Sequence, residues 1–362
     1  MERSRAERMI SNAEGLDAII ILNDGSPFLD STFWYLTELT GGSFEGSMAV
    51  VRKDGGLEVI VSALEEETAS SGKGEIHVYH TRAERDNHLR EALKGTSKVG
   101  FNTHCASYSM VDQVRRTVKG IKVKDASSAI SSTTAVKDKK EIELIRKACW
   151  ISSKVAKEIP DMLSDGVTEK EVASRMDARM MELGGTGNAF DTISAFGANS
   201  SKPHHSPTEY KLRKGDTALF DFGTKYERYC SDMTRTVFLS RPPEIMERAY
   251  ETVLEAQTAG IEIYKDGAPA KDADLAAREI IDRTEFKGKF IHSFGHGIGM
   301  DVHQDISVSP RSEQILKEGN IVSAEPGIYI PGVGGIRIED TCLITKDGCE
   351  RLTDFDRRIT FV

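Results

Sequence analysis

Apolar residues follow two rhythms along the chain. In the first third they gather in short runs, DAIIIL at 17–22, SMAVV at 47–51, LEVIV at 57–61 and KVGFN at 98–102, separated by amphipathic stretches. Short β-rich runs alternating with helical stretches predict a small α/β domain. At 127–134 the sequence SSAISSTT is small and polar, which suits a linker or the entrance to a helix. The domains expected from this change are 1–130 and 131–362.

From Lys137 the rhythm changes. DKKEIELIRKACWISSKVAKEI spaces its apolar residues three and four apart, as one face of a helix requires, and a second helix is expected over about 168–183. Strand-like segments follow: TALFDFG at 217–223, RYCSDMTRTVF at 228–238, NIVSAEPGIYI at 320–330 and GGIRIEDTCLIT at 334–345. Two more helices are expected between them, at about 243–265 and 271–284. Strands grouped apart from helices, with antiparallel-type spacing, indicate an α+β domain rather than a doubly wound one.

Composition narrows the function classes. A chain of 362 residues with 39% hydrophobic and 29% charged residues is an ordinary globular protein, long enough for two cores. Its net charge of −9 opposes nucleic acid and anionic membrane as principal partners. The N-terminus MERSRAERMI mixes charges and leads into a short apolar run, Ala18–Leu22, unlike a signal peptide or a membrane span, so a cytoplasmic location is expected. Five cysteines without a CxxC pair indicate reduced thiols rather than a disulfide framework or a thiolate zinc site.

The unusual residues lie in the β-rich segments. Asp221 ends an apolar strand, and Asp232 falls inside another strand-like run, where an acid must be paired or metal-bound. A salt bridge from Asp232 to Arg235 or another arginine is the plain alternative. Arg337 and Glu339, two apart in IRIED, would share one face of a strand as an ion pair. Glu325 precedes Pro326 and Gly327 at a turn, as a ligand or as a satisfied turn acid. HSFGHGIGMDVHQ places His292, His296 and His303 on a glycine-rich path unsuited to a helix, so this is no helical HExxH site, yet three histidines so close point to a site. His204 and His205 follow Pro203 in a loop. GHGIGM is not GxGxxG, and neither a phosphate-binding GxxxxGK loop nor a GxSxG elbow occurs.

Together these segments, over roughly 137–350, resemble the metallopeptidase family of Xaa-Pro dipeptidase (prolidase), aminopeptidase P and methionine aminopeptidase, whose catalytic domain has the pita-bread fold. The resemblance implies Asp221, Asp232, His296, Glu325 and Glu339 as ligands of two divalent metal ions. Such an oxygen-rich set suits Mn²⁺, Co²⁺ or Zn²⁺, and ions about 3.5–4 Å apart can share a bridging hydroxide as nucleophile. It further implies that His204 and His303 stabilise the scissile carbonyl as it becomes tetrahedral and that Glu325 shuttles a proton. Arg337 would offset negative charge and orient Asp232. Phe190, His292 and Val302 are candidates for a proline pocket.

The first third resembles the creatinase/prolidase N-terminal domain, which implies a homodimer acting on short proline-containing peptides. Ser307 stands where many prolidases have an Arg that binds a dipeptide carboxylate, and Arg311 is the nearest substitute. That departure removes the obvious dipeptide clamp, but total length and the single short N-terminal domain still resemble prokaryotic Xaa-Pro dipeptidases. Xaa-Pro dipeptidase is thus the expected activity, with aminopeptidase P on longer peptides as the alternative. Creatinase-like chemistry without metal, and a non-catalytic pita-bread binding module, are opposed by the intact ligand set.

Overall fold

The computed structural model describes residues 3–362, which form two compact units divided between Thr134 and Ala135. The first unit runs α1 (Arg5–Ser11), β1 (Ala18–Leu22), α2 (Thr32–Thr37), β2 (Met48–Arg52), β3 (Leu57–Ser62), α3 (Glu66–Ala69), β4 (Glu75–Tyr79), α4 (Arg82–Ala92), β5 (Lys98–Phe101), α5 (Tyr108–Thr117), β6 (Lys122–Asp125) and α6 (Ser127–Ala135). Its six strands form one mixed sheet in the order β4-β3-β2-β1-β5-β6. The all-apolar β1 is central and buried along its length, flanked by β2 antiparallel and β5 parallel. The edge strands β4 (EIHVY) and β6 (KVKD) alternate polar residues with apolar ones, and their strand character comes from the partner they pair with. SSAISSTT is neither linker nor mere helix entrance: it is helical throughout, with Ala129, Ile130 and Thr133 buried.

Asp17 fixes the entry to β5. Its carboxylate accepts hydrogen bonds from the Ser97 N–H (2.9 Å), the Ser97 hydroxyl (2.8 Å) and the Lys98 N–H (2.9 Å). These bonds, the Ser97 N–H foremost, hold the carboxyl down from 3.8 to about 2. A depressed folded pKa contributes stability that is present above the unfolded value and lost as pH falls through the folded one. Asp17→Asn is therefore expected to destabilise the first unit at neutral pH, with the difference from wild type shrinking as pH falls from 3.8 toward 2. Urea unfolding at pH 7 and pH 3 measures this, and an equal difference at both would refute it.

The second unit opens with α7 (Lys139–Met162) and α8 (Glu169–Glu182). Each helix begins at a reciprocal capping box, Asp138 with Glu141 and Thr168 with Glu171, so its start is written locally. β7 (Gly187–Asn188), β8 (Ile193–Phe196), a 3-10 turn (Gly197–Ser201), β9 (Thr217–Phe222), β10 (Thr224–Tyr226), β11 (Tyr229–Cys230) and β12 (Met233–Phe238) follow. The antiparallel sheet β12-β9-β8 packs Phe196, Phe220, Phe222 and Val237 against Ile151, Val155, Met176 and Met180 of the two helices. The expected single strand at 228–238 is in fact two strands, and Asp232 lies in the break between them rather than inside a strand.

α9 (Glu244–Ile263) and α10 (Ala270–Asp282) precede β13 (Gly295–Gly297), β14 (Gln304–Val308), β15 (Ile321–Ala324), β16 (Gly327–Ile330), β17 (Gly334–Arg337), β18 (Asp340–Ile344) and β19 (Cys349–Arg351). The sheet β14-β13-β15-β18-β19 and the β16/β17 hairpin bury Val322, Ile336 and Cys342 against Val253, Ala256 and Ala277. Each half of this unit is thus an antiparallel sheet covered by two helices, an α+β arrangement. Among the described residues no helix is long and apolar enough to cross a membrane, and none of the five cysteines is in a disulfide.

Candidate metal centre

The two halves contribute unequally to one buried acid cluster. β9 carries Asp221, whose cross-strand partner on β12 is Thr234, and the break before β12 presents Asp232. The other half supplies His296 from β13, Glu325 from the turn between β15 and β16, and Glu339 from the two-residue gap between β17 and β18. That gap corrects the single strand expected over 334–345: Arg337 ends one strand and Glu339 stands outside both, its N–H bonded to the Thr234 carbonyl at 3.1 Å. Glycines allow the close approach these positions need. A Cβ on Gly223 would sit 2.0 Å from the Ser231 carbonyl oxygen, and one on Gly295 would sit 2.2 Å from that of Ser323. Gly295 therefore serves strand contact rather than anion binding.

The side chains converge. Asp232, His296 and Glu339 each offer a ligand atom, all within 4.8 Å of one another. His296 Nε2 lies 3.2 Å from Glu325 Oε1 and 3.4 Å from Asp232 Oδ2. Three carboxylate oxygens, Asp221 Oδ1, Asp232 Oδ1 and Glu339 Oε1, are buried without any hydrogen-bond partner. Buried carboxylate oxygens are almost always satisfied. Three orphans in one cluster are what cation coordination resolves, so these residues fit divalent metal.

The electrostatics agree. Burial, and then the neighbouring carboxylates, drive Glu339 well above the ordinary carboxylate range. Asp221 is also raised, by burial foremost and by Glu325, against the pull of Arg337. Asp232 is pushed up to about 7 by burial and by Asp221, against its contact with His296. Glu325 goes the other way: burial opposes ionisation, but the hydrogen bond and charge of His296 outweigh it and hold the group at about 2. Burial likewise opposes charge on His296, yet Asp232 and Glu325 raise it well above its usual value. Without cations the cluster stores protons; with them it can ionise fully.

Arg337 corrects an expectation. Its guanidinium pairs with Asp221, not Asp232, through a short Nη2–Oδ2 contact. Nε donates to the Thr234 hydroxyl (2.9 Å), which in turn donates to Glu339 Oε2 (2.6 Å). Arg235 also leaves Asp232 alone, pairing with Asp340 at 2.7 Å on the opposite face of β12. Period-two alternation is the reason within β12: Thr234 and Arg235 are consecutive and point to opposite faces, Thr234 toward Glu339 and Arg235 toward Asp340.

A cavity of about 810 Å³ opens over the cluster, lined by every expected site residue: His204, His303, Phe190, His292 and Val302 beside the five candidate ligands and Arg337. The His303 ring stands edge-on to His296 at 4.3 Å between centroids. Burial keeps His292 and His303 below the usual histidine pKa, hence neutral. Ser307 faces the cavity from β14, directly opposite His296 in register. Arg311 is exposed and is absent from the lining, so among the described residues it does not replace the missing clamp.

Sequence reasoning missed three members. Tyr329 is buried, accepts from Arg337 Nη1 (2.8 Å) and meets His292 Nε2 (2.9 Å), while His292 Nδ1 meets the Ser293 carbonyl (2.9 Å). This chain fixes the His292 tautomer with its proton on Nδ1. Ser323 accepts from the His296 N–H and donates to Glu325 Oε1, both at 3.0 Å. Thr234 joins Arg337 to Glu339. Only Thr234 carried a signal, its spacing of two from Asp232.

Residues 143–346 match metallopeptidase family M24, and residues 3–133 match the creatinase/prolidase N-terminal domain. The chain is 40% identical over 271 residues to the Xaa-Pro dipeptidase of Pyrococcus furiosus, covering 75% of this chain and 78% of that one. Its fold is similar to the prolidase of Pyrococcus horikoshii (TM-score 0.90, 32% identity, 98% and 99% of the two chains). It is as similar to the X-Pro aminopeptidase of Thermotoga maritima (TM-score 0.89, 31% identity, 98% and 99%). On residues, site and fold alike, the chain belongs to metallopeptidase family M24, with a creatinase/prolidase N-terminal domain before the catalytic one.

Proposed function

We propose that this protein hydrolyses Xaa-Pro peptide bonds, as an Xaa-Pro dipeptidase, using two divalent metal ions held by Asp221, Asp232, His296, Glu325 and Glu339. The observation that carries the reading is the trio of orphaned carboxylate oxygens at the floor of a peptide-sized cavity. A binding module that had given up catalysis would have no reason to keep them. The donor set, four carboxylates and one imidazole, suits Mn²⁺, Co²⁺ or Zn²⁺. When bound, such ions supply Lewis acidity and a nucleophile from water at neutral pH.

The chain's own residues do the rest. Phe190, Val302 and the neutral face of His292 receive the proline ring. His204 and His303 stand over the cluster to stabilise negative charge on the carbonyl oxygen as it becomes tetrahedral. Glu325, ionised and steered by Ser323, takes a proton from the attacking water and passes it to the proline nitrogen. That nitrogen carries no hydrogen in the substrate, so the bond breaks only as the proton arrives. Arg337 neutralises Asp221 and, through Thr234, steadies Glu339.

Ser307 in the cavity wall favours a second reading, aminopeptidase P, because the position supplies no cation for a free C-terminal carboxylate. A metal-reconstituted assay of Xaa-Pro, Xaa-Pro-Yaa and Xaa-Ala decides. Cleavage of Xaa-Pro over both others is expected; preference for the tripeptide transfers the assignment to aminopeptidase P, and equal cleavage of Xaa-Ala removes proline specificity. We also propose a cytoplasmic homodimer, the dimer supported by the N-terminal domain type and the location by cysteines that form no disulfide. Sedimentation at a single monomer mass would overturn the dimer.

A further inference from the structure

Outside the acid cluster, one buried carboxylate is satisfied by an unusual number of donors. Glu169, the first residue of α8, is fully buried. Its Oε1 accepts from the Phe196 N–H (2.8 Å) and the Asn199 amide (3.0 Å). Its Oε2 accepts from the Thr208 N–H (2.8 Å), the Thr208 hydroxyl (2.6 Å) and His205 Nε2 (2.9 Å). None of these partners is a lysine or arginine. A buried anion held by N–H and O–H donors is stable only while the donors stay in place, so the same charge holds the donors.

The helix itself does not need this carboxylate. The α8 start is capped by Thr168 and Glu171, whose side chains bond each other's backbone. Glu169 turns away from that cap toward residues 196–208, the stretch that carries His204 to the cavity. His204 is bracketed: on one side the Pro203 carbonyl lies 3.4 Å from Arg337 Nη1, and on the other His205 is tied to Glu169.

We propose that Glu169 is a positioning residue for catalysis, an ionised carboxylate that gathers the 196–208 loop and thereby sets His204 over the scissile carbonyl. The proposal rests on the role given to His204 above. Charge is essential to it. In Glu169→Gln one amide oxygen can still serve Phe196 and Asn199, but the amide NH₂ then faces the Thr208 N–H, and a buried donor loses its acceptor.

The test is a double-mutant cycle in the full-length, metal-reconstituted protein. Glu169→Gln is expected to lower kcat roughly tenfold or more with KM within about twofold, because the loss falls on the transition state. In a His204→Ala background the same substitution should change kcat by less than about twofold, since its route of action is already gone. Thr208→Val, which removes only the hydroxyl, should give a smaller fall with the same dependence on His204. An equal fold loss in both backgrounds, or a lowered Tm with unchanged kcat, overturns the proposal. A second readout needs no substrate: in metal-free protein the His204 imidazole NMR signal, assigned by its loss in His204→Ala, should shift in Glu169→Gln while that of His77 in the first unit stays. An unmoved His204 signal overturns positioning. If wild type fails to cleave Xaa-Pro, the functional reading falls while the NMR arm still decides this one.

Discussion

Asp232→Asn should stop hydrolysis while making the metal-free protein more stable. The substituted amide presents a donor where the cluster offers only acceptors to a cation, and kcat/KM of the reconstituted protein is expected to fall at least about a thousandfold. Bound metal, measured by elemental analysis, should fall with it. Stability moves the other way because Asp232 is 4% exposed, has an orphaned oxygen, and shares its surroundings with three other acids. Its folded pKa of about 7 lies above the usual 3.8, so the metal-free folded state binds more protons than the unfolded chain between those values. Wild-type stability from this group therefore declines as pH rises from 3.8 through about 7. The gain in Tm on substitution should be larger at pH 8 than at pH 5. A variant that keeps its metal and activity, or a metal-free Tm that drops at pH 8, would sink the assignment of Asp232 to the cation site.

The second large effect is structural. Asp340 is fully buried and accepts from Arg235 Nη2 (2.7 Å), the Thr353 hydroxyl (2.8 Å) and Gln257 Nε2 (3.2 Å). Arg235, itself 1% exposed, also donates to the carbonyls of Glu339 and Phe355. Asp340→Ala leaves a buried guanidinium without its counter-charge, and a loss of about 3–5 kcal/mol is expected in urea unfolding of the second unit. Replacing both partners, Arg235→Met with Asp340→Leu, should cost less than the single change, because the buried guanidinium goes with its counter-charge and Arg351, which also pairs with Asp340 at 3.3 Å, is 37% exposed and can turn to solvent. Metal affinity should weaken in Asp340→Ala as well, since Arg235 no longer anchors the Glu339 backbone. A single-variant cost under about 1 kcal/mol would show that the pair contributes little.

The elements whose cues are local were legible in the chain. α7 announces itself by apolar spacing and β1 by an unbroken apolar run, and the capping boxes with which the structure starts α7 and α8 are equally local. Where a partner decides, the reading slipped. The edge strands β4 and β6 are half polar, and the breaks at Asp232 and Glu339 interrupt runs whose hydrophobic pattern continues across them. Such breaks turn an acid out of the sheet toward the cavity, a purpose that local propensity does not encode.

Of the site, the order and spacing of Asp221, Asp232, His296, Glu325 and Glu339 were visible as a set, because each stands in a short motif of its own. Their pairing was not. That Arg337 answers Asp221 rather than Asp232 follows from the register of β9 against β12 and from the hairpin that delivers the guanidinium. Tyr329, Ser323 and Glu169 carry no sequence signature at all, being ordinary residues until tertiary structure places a hydroxyl or carboxylate within 3 Å of a group that needs it. Residue chemistry is a property of the chain, but hydrogen bonds and desolvation act over a few ångströms between segments more than a hundred residues apart, and only the folded backbone decides which of them meet.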